Sequence, residues 1–543
     1  MCEGEHRYIY KMPVVLCKPC PVFLSFGAQM DFIGFLNKNK IKALFFPLVM
    51  IAVYIPIVFT KSYCADLEYV QGVKGHIYNW SELGRYTLLL IKKLCFTPYN
   101  TVLEGILFIF TSFLTVISLS YLLCLIYEKA DTTVLFIFSC IALIFPTFSE
   151  QYYFKFQSFE VLFGIFLLNI SGIFLVKFIN EKKIRMFIVS VLANILSFGI
   201  YQSMLNIILV FYTCIFTFYA IKEEKDKLLR CAVSVILQFA LSFILNKLIC
   251  IIFCEKGSYF SDKIMWKSYP FSTCYHFVKH YFRIVLLSES HMYTFAFLIS
   301  IVLASAAFVY LFIKTKAKAL WVLAGILGLI VIPFAIAIIQ GFEPDSRTQL
   351  ALPFSIAFLL LTAYGIFERY LPERKDEKKG SKPLTLIAVF ISLFILFINI
   401  IPTFRLVYTR MKINSFDKEN ICKIGGDLNG FNCNENTSSS VPVIFIGTLT
   451  PEPDPLCYAY DEENKDYILI SVFSLDADTE PEYFFSTNRI LGAMDNEGFT
   501  YKKPNLSDYM DEAKEETLAM PSYPEEGYIK ETENFVVVNL GNN

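Results

Sequence analysis

Eleven apolar runs, most of them close to the length of a membrane-spanning helix, constrain the fold of this chain more than any other feature. A transmembrane helix needs about 20 predominantly apolar residues. The runs are bounded by charged residues and lie at 41–59, 101–126, 133–148, 159–179, 186–200, 203–221, 231–253, 292–313, 320–339, 349–367 and 383–402. The fifth is short and meets the sixth at Tyr201, so these two also fit one broken hairpin. We predict a mainly α-helical, polytopic membrane protein with about 11 transmembrane helices.

Charge divides the chain into unlike parts. Residues 1–402 carry 37 Lys and Arg against 24 Asp and Glu, whereas residues 403–543 carry 11 against 25. We therefore predict a transmembrane domain at 41–402 and an acidic domain at 403–543. Strand-like runs in the acidic part, such as VPVIFIG at 441–447, indicate a small α/β unit. The basic residues fall in the membrane loops, which leaves no basic surface for nucleic acid.

The first 40 residues form a separate N-terminal segment. Residues 1–29 have neither a long apolar core nor a small-residue cleavage site, so they do not resemble a signal peptide. The run MDFIGFLNKNKIK, which begins at Met30, is typical of a cytoplasmic start before a first span. We expect translation to begin at Met30.

The distribution of Lys and Arg predicts the orientation. One set of short loops holds 20 of them, in the stretches 38–42, 129, 182–185, 222–230, 314–318 and 369–382. The short loops of the opposite side hold only Lys155 and Arg347. Because positive loops stay in the cytoplasm, we place the N-terminus inside and the acidic domain outside the cell.

Two long loops on the predicted outer side, 60–100 and 254–290, are where we expect function, because connectors are usually much shorter. The first contains Asp66, Glu68, Trp80 and Arg85. Asp66 fits either a reactive carboxylate or an ordinary solvated one.

Ionisable residues near the predicted outer ends of spans are further candidates. Glu104 and Glu160 each lie within a turn or two of such an end. A carboxylate there marks a site when it is paired or faces water, and otherwise reaches the interface by snorkelling. We expect snorkelling for Glu104 and leave Glu160 open.

Arg347 suits a phosphate, which a guanidinium binds through two hydrogen bonds, but it also fits a simple pair with a neighbouring carboxylate.

Four sequence features together resemble the bacterial Gtr-type glucosyltransferase family, which adds glucose to O-antigen and related surface polysaccharides. They are Asp66 followed by Trp80 and Gly84-Arg85, then Tyr201-Gln202-Ser203, the Pro344 to Arg347 stretch, and a tail similar to the external region of Gram-positive members. The likeness spans most of residues 41–540. Many members have two adjacent acidic residues where this chain has Ala65 and Asp66, so the role of Asp66 rests on one carboxylate.

The resemblance implies a GT-C-like membrane enzyme that takes a hexose, most simply glucose, from a polyprenyl-phosphate donor within the membrane lipid. The acceptor would be a lipid-linked or cell-wall polysaccharide at the outer face of the bacterial cytoplasmic membrane. Asp66 would be the general base, with Glu160 assisting. Arg347 and Arg85 would bind the donor phosphate. The residues expected to line the sugar and acceptor pocket are Trp80, Tyr201, Gln202 and Glu68.

Two other functions fit the same pattern, namely a polysaccharide polymerase and a flippase for lipid-linked sugars. Both would act on lipid-linked sugars near the outer loops. The sequence predicts no cofactor, since it has no phosphate-binding glycine loop. Asp66 and Glu68 form too small a cluster to predict a metal site, so a role for a divalent metal stays open.

Overall fold

Long apolar helices make up most of the computed structural model, in which 74% of the described residues are helical. The described residues are 31–61, 63, 79–95, 100–254, 263–316, 319–371, 382–437, 439–460, 466–474, 485–504 and 509–541. The α-helices in chain order are α1 Phe32–Lys38, α2 Lys40–Phe59, α3 Asn79–Glu82, α4 Tyr86–Cys95, α5 Thr101–Ile126, α6 Thr132–Leu143, α7 Pro146–Tyr153, α8 Ser158–Glu181, α9 Ile184–Phe198, α10 Met204–Lys222, α11 Lys225–Phe253, α12 Phe271–Leu287, α13 Ala296–Thr315, α14 Ala319–Val331, α15 Ala335–Gln340, α16 Ala351–Tyr370, α17 Lys382–Leu428, α18 Phe485–Asn496 and α19 Met510–Thr517.

The predicted fold class is confirmed, while the helix count is lower than the apolar runs suggest. Nine helices of the described part are long and apolar enough to cross a membrane. A tenth crossing is possible only if α6 and α7, which meet at an angle of 55°, count as one broken span. Helix α9 has 15 residues, about 22 Å at 1.5 Å per residue, which is short of a hydrocarbon core of about 30 Å.

The two ends of the bundle differ in charge. Arg230 donates to the carbonyl of Ile179 at 2.6 Å, and Arg369 donates to that of Lys222 at 3.0 Å, so both cap helix ends on the lysine-rich side. This matches the preference of cations for helix C-termini. The break between α6 and α7 lies at the opposite end, as do the first residues of α5 and α8. The orientation of these ends in a membrane stays a prediction.

Close packing of small residues brings the central helices together. A Cβ added to Gly172 of α8 would lie 2.8 Å from Leu122 Cδ2 of α5, so a larger residue here would force that side chain to move. Thr115 of α5 lies beside Asn169 of α8, whose amide donates to the Thr115 carbonyl at 3.1 Å. Contacts of this kind, rather than the hydrophobic effect, hold helices together in lipid.

The acidic C-terminal part is a small α/β unit built on the end of α17. Strands β1 Val443–Gly447, β2 Ile529–Glu531 and β3 Val536–Gly541 form a sheet of order β1-β3-β2, in which β1 is parallel and β2 antiparallel to β3. Leu428 of α17 and Phe445 of β1 are buried in one core. Helix α17 has 47 residues and runs unbroken through position 403, where we predict the acidic domain to begin.

Candidate active site

The segment 146–160, which comprises α7, a 3-10 turn and the start of α8, is the centre of the candidate site. Every residue of this segment is buried, although eight of its fifteen side chains are polar or charged. Burying polar groups costs free energy unless each finds a hydrogen-bond partner. A segment of this composition within an apolar bundle therefore marks a place where the fold maintains polar contacts.

A buried ion cluster lies at the start of α8. Lys92 of α4 contacts Glu160 and donates to Glu104 Oε1 at 2.6 Å, and all three side chains are at most 3% exposed. Its ammonium also lies 5.5 Å from the ring centroids of Phe156 and Phe159. Burial alone would lower the pKa of Lys92, but the two carboxylates outweigh it and raise the pKa above its ordinary value. Lys92 therefore stays charged.

This cluster corrects the expectation for Glu104. Snorkelling would leave its carboxylate at the interface, whereas the structure buries it to 2% exposure beside Lys92. Its partner Lys92 is a residue that no sequence motif singles out. The one available signal is its position on a short helix, directly after four apolar residues, Leu88 to Ile91.

The second group of contacts surrounds Arg85. Its Nη1 donates to Gln157 Oε1 at 2.9 Å and its Nε donates to Gln202 Oε1 at 3.3 Å. The guanidinium carbon lies 4.8 Å from the ring centroid of Tyr201. Three of the residues that the resemblance singles out, Arg85, Tyr201 and Gln202, are thus brought together. Gln157 joins them without any motif having pointed to it.

Local backbone geometry explains this meeting. Tyr201 and Gln202 lie in the break between α9 and α10, where the chain leaves a helix. Just before the break, the carbonyl of Gly199 accepts hydrogen bonds from the amides of Thr87 at 2.9 Å and Leu88 at 3.1 Å. A Cβ at Gly199 would lie 2.5 Å from the Thr87 hydroxyl, so the close approach of α4 requires glycine here.

Trp80 belongs to the same region. Its side chain is buried and packs edge-on against Phe156, with ring centroids 6.0 Å apart. In the state described, Trp80 supports the segment 146–160 and presents little surface to a ligand.

Arg347 belongs to a 3-10 turn of its own, Ser346–Thr348, and its side chain packs on Phe154, just before the 3-10 turn of the segment 146–160. Its guanidinium carbon is 4.1 Å from the ring centroid of Phe154 and 5.1 Å from that of Tyr467. A carboxylate oxygen of Asp345 is 3.6 Å from Nη2, so the ion pair weighed at the sequence level is present. The Arg347 side chain is 18% exposed, so part of it reaches solvent.

Asp66 and Glu68 lie outside the described residues, as do residues 1–30 with the expected start at Met30. The nearest described position is Tyr63, whose carbonyl accepts a hydrogen bond from Tyr153 at 2.9 Å. Among the side chains that the structure describes, no three His, Cys, Asp or Glu residues converge as metal ligands would.

Comparison with known proteins places the chain in a family. No curated protein and no solved structure matches it significantly. A family model described as Glucosyl transferase GtrII matches residues 59–364, more than half of the chain. The match contains the segment 146–160, both arginines and the Tyr201-Gln202 pair, and it confirms the resemblance. The chain therefore belongs to the GtrII glucosyl transferase family.

Proposed function

We propose that this glucosyltransferase moves glucose from a polyprenyl-phosphate donor to a cell-surface polysaccharide, at the outer face of the bacterial cytoplasmic membrane. The donor would enter from the membrane lipid. The acceptor would be a lipid-linked or cell-wall polymer, and the bundle would have the GT-C-like arrangement that the resemblance implies. The acidic domain would lie outside the cell with the reacting groups.

The observation that carries this proposal is the position of the two arginines. Phe154 and Gln157 are three residues apart in the buried segment, and they contact Arg347 and Arg85 respectively. Both guanidinium groups thus lie at the end of the bundle opposite the lysine-rich loops. A lipid phosphate at the outer interface needs such donors, because a planar guanidinium binds phosphate oxygens through paired hydrogen bonds.

In the proposed reaction, an acceptor hydroxyl oxygen attacks the anomeric carbon of the donor glucose. The bond from that carbon to the phosphate oxygen breaks, and its electron pair leaves with the polyprenyl phosphate. Asp66 takes the hydroxyl proton as general base. Arg347 and Arg85 stabilise the charge that develops on the leaving phosphate. Trp80, Tyr201, Gln202 and Glu68 shape the sugar pocket.

Glu160 has a supporting role in this scheme. It is fully buried and contacts Lys92, so it holds the start of α8 and with it Gln157, the partner of Arg85. We therefore treat Glu160 as a positioning residue, which refines the expectation that it assists catalysis directly.

The test is an assay of purified protein in nanodiscs with radiolabelled polyprenyl-phosphate glucose and crude cell-wall acceptor. The wild type should transfer glucose, Asp66→Asn should not, and Arg347→Ala should raise the KM for the donor. Arg283→Ala is a matched control, because Arg283 is 65% exposed and its described ion pair is with Glu289.

Four outcomes are informative. Loss of transfer in Asp66→Asn with normal membrane insertion supports the assigned base, and retained transfer removes Asp66 from the mechanism. Binding of the donor without any transfer shows that the sugar or the acceptor is wrong. Absence of donor binding by the wild type overturns the proposal and favours a polymerase or a flippase.

A further inference from the structure

The turn that carries Arg347 is contacted from two sides. One side is the segment 146–160, through Phe154 and Glu150. The other is a 3-10 turn at Tyr467–Leu469, which belongs to the C-terminal part and lies about 100 residues beyond the end of the matched family region. The candidate phosphate site therefore includes residues that the family match does not cover.

Two aromatic rings confine the guanidinium of Arg347. The rings of Phe154 and Tyr467 have centroids 5.8 Å apart and planes inclined at 74°, so they form a corner. The guanidinium carbon lies inside it, 4.1 Å from one centroid and 5.1 Å from the other. The guanidinium of an arginine is attracted to an aromatic face. A second ring excludes rotamers of the Arg347 side chain that one ring would leave accessible.

A hydrogen-bonded chain braces the same turn. The Ser346 hydroxyl contacts Glu150 Oε2 and lies 2.8 Å from Asp466 Oδ1. A serine hydroxyl has one hydrogen to donate. Both contacts are hydrogen bonds only when one of the two carboxyl groups is protonated and donates to the Ser346 oxygen. The Ser346 hydroxyl thus joins α7 and the C-terminal turn, because it donates to one carboxyl group and accepts from the other.

The C-terminal turn is itself fixed to the long helix α17. Arg410 of α17 donates to the carbonyl of Ile470 at 2.6 Å, and it pairs with Asp417 at 3.1 Å with both side chains fully buried. The guanidinium of Arg410 also lies 4.5 Å from the ring centroid of Tyr153. Tyr467 is therefore held in place by both the membrane helices and the C-terminal unit.

We propose that Tyr467 and Asp466 are positioning residues for the donor phosphate, because they fix Arg347 in the orientation that binds it. This inference rests on the proposed function, in which Arg347 holds the phosphate. It adds that the C-terminal part completes the phosphate site and is more than a cover for the outer loops.

The experiment measures binding of radiolabelled polyprenyl phosphate to the full-length protein in nanodiscs. Tyr467→Leu should weaken binding about tenfold, the fold-change expected when one desolvated cation–aromatic contact is lost. Tyr467→Phe keeps the ring and should bind within about twofold of the wild type. Asp466→Ala should weaken binding, while Asp466→Asn keeps an oxygen for Ser346 and should restore most of it.

Tyr458→Leu is the matched control. Tyr458 also lies in the C-terminal part and also stacks on an arginine, Arg405, at 4.3 Å, but it contacts neither Arg347 nor Ser346 in the described contacts. Its substitution should leave phosphate binding unchanged. A loss equal to that of Tyr467→Leu would indicate general damage to the C-terminal part and would overturn the inference.

A double-mutant cycle separates positioning from structural support. In an Arg347→Ala background, with residual binding through Arg85, Tyr467→Leu should cause no further loss. A further loss of the same size would show that Tyr467 acts independently of Arg347 and would reject the inference. Normal binding by Tyr467→Leu, alongside weak binding by Arg347→Ala, rejects it too but leaves the proposed function intact. Normal binding by Arg347→Ala alone would instead contradict the proposed function.

Discussion

Tyr63 and Glu497 join the start of the first long loop to the C-terminal unit. The Tyr63 hydroxyl donates to Glu497 Oε1 at 2.7 Å, and Lys61 pairs with the same oxygen at 2.9 Å. These two residues are more than 400 positions apart in sequence. The loop that carries the predicted base and the C-terminal unit are therefore anchored to each other on the same side of the bundle.

This anchor predicts a pH dependence of stability. Burial alone would raise the pKa of Glu497, but the hydrogen bonds from Lys61 and Tyr63 outweigh it and lower the pKa below its ordinary 4.5. A group with a lowered pKa in the folded state stabilises the fold above its unfolded pKa, and that contribution is lost as pH falls through the folded value. Glu497→Gln should therefore melt below the wild type at pH 7, and the difference should shrink as the pH falls below 4.5.

The measurement is a thermal melt of both proteins in detergent from pH 3.5 to 8. Since Lys61 is 43% exposed, we expect a difference of no more than about 1 kcal/mol. Glu289→Gln serves as control, because Glu289 pairs with the exposed Arg283. A gap between wild type and Glu497→Gln that widens at low pH would contradict the assigned sign.

Removal of Lys92 should strongly destabilise the bundle. Lys92→Met leaves Glu104 and Glu160 facing each other without a cation, and loss of one partner of a buried pair costs about 3–5 kcal/mol. The melting temperature in detergent should fall accordingly. Lys183→Met should change it little, because Lys183 is 52% exposed in its pair with Glu181. Equal shifts for the two variants would argue against a buried ion cluster.

Gln157 should affect donor recognition more than stability. Gln157→Met removes the oxygen to which Arg85 Nη1 donates, so the guanidinium loses one of its two glutamine contacts. We expect the KM for the donor to rise about tenfold, the cost of roughly 1.4 kcal/mol in phosphate binding. Gln238→Met is a control, because Gln238 is equally buried but bonds to Ser171 in the middle of the bundle. Gln238→Met should lower the melting temperature without changing the KM. A Gln157→Met variant that lowered the melting temperature but kept the wild-type KM would exclude Gln157 from donor binding.

Substitutions of Glu150 should show whether it only supports Ser346 by a hydrogen bond or acts as a general base. If Glu150 only braces Ser346, Glu150→Gln can still hydrogen-bond and should keep most of the activity, while Glu150→Leu should lose it. A general base cannot be replaced by an amide. Turnover of the two variants in the nanodisc assay decides between these roles, and an inactive Glu150→Gln with a normal melting temperature would make Glu150 a candidate base beside Asp66.

The apolar runs predict the bundle well, because the bilayer sets the length and composition of each span. Thr101–Ile126 lies where the sequence predicts it to the residue. The run at 133–148 is different, since the chain bends at Ile144 and turns into a polar helix. Average hydropathy over the run does not reveal this bend, because the residues directly before and after it, Leu143 and Phe145, are both apolar.

The sequence predicts which residues belong to the site better than it predicts which of them contact each other. Arg85, Tyr201 and Gln202 follow from short motifs, yet nothing in the sequence pairs Lys92 with Glu160 or places Tyr467 on Arg347. Such pairs depend on how helices cross, and they join residues 68 and 120 positions apart. A single sequence carries no signal for contacts at that separation.

The unbroken helix α17 has a mechanical consequence. Its 47 residues extend about 70 Å, more than twice the thickness of a hydrocarbon core of about 30 Å. A tilt of its membrane half displaces the far half, and Pro402, which removes one backbone hydrogen bond, is where the helix bends most easily. A displacement of the C-terminal unit is therefore transmitted through α17 to Arg410, which holds the turn of Tyr467 through the carbonyl of Ile470.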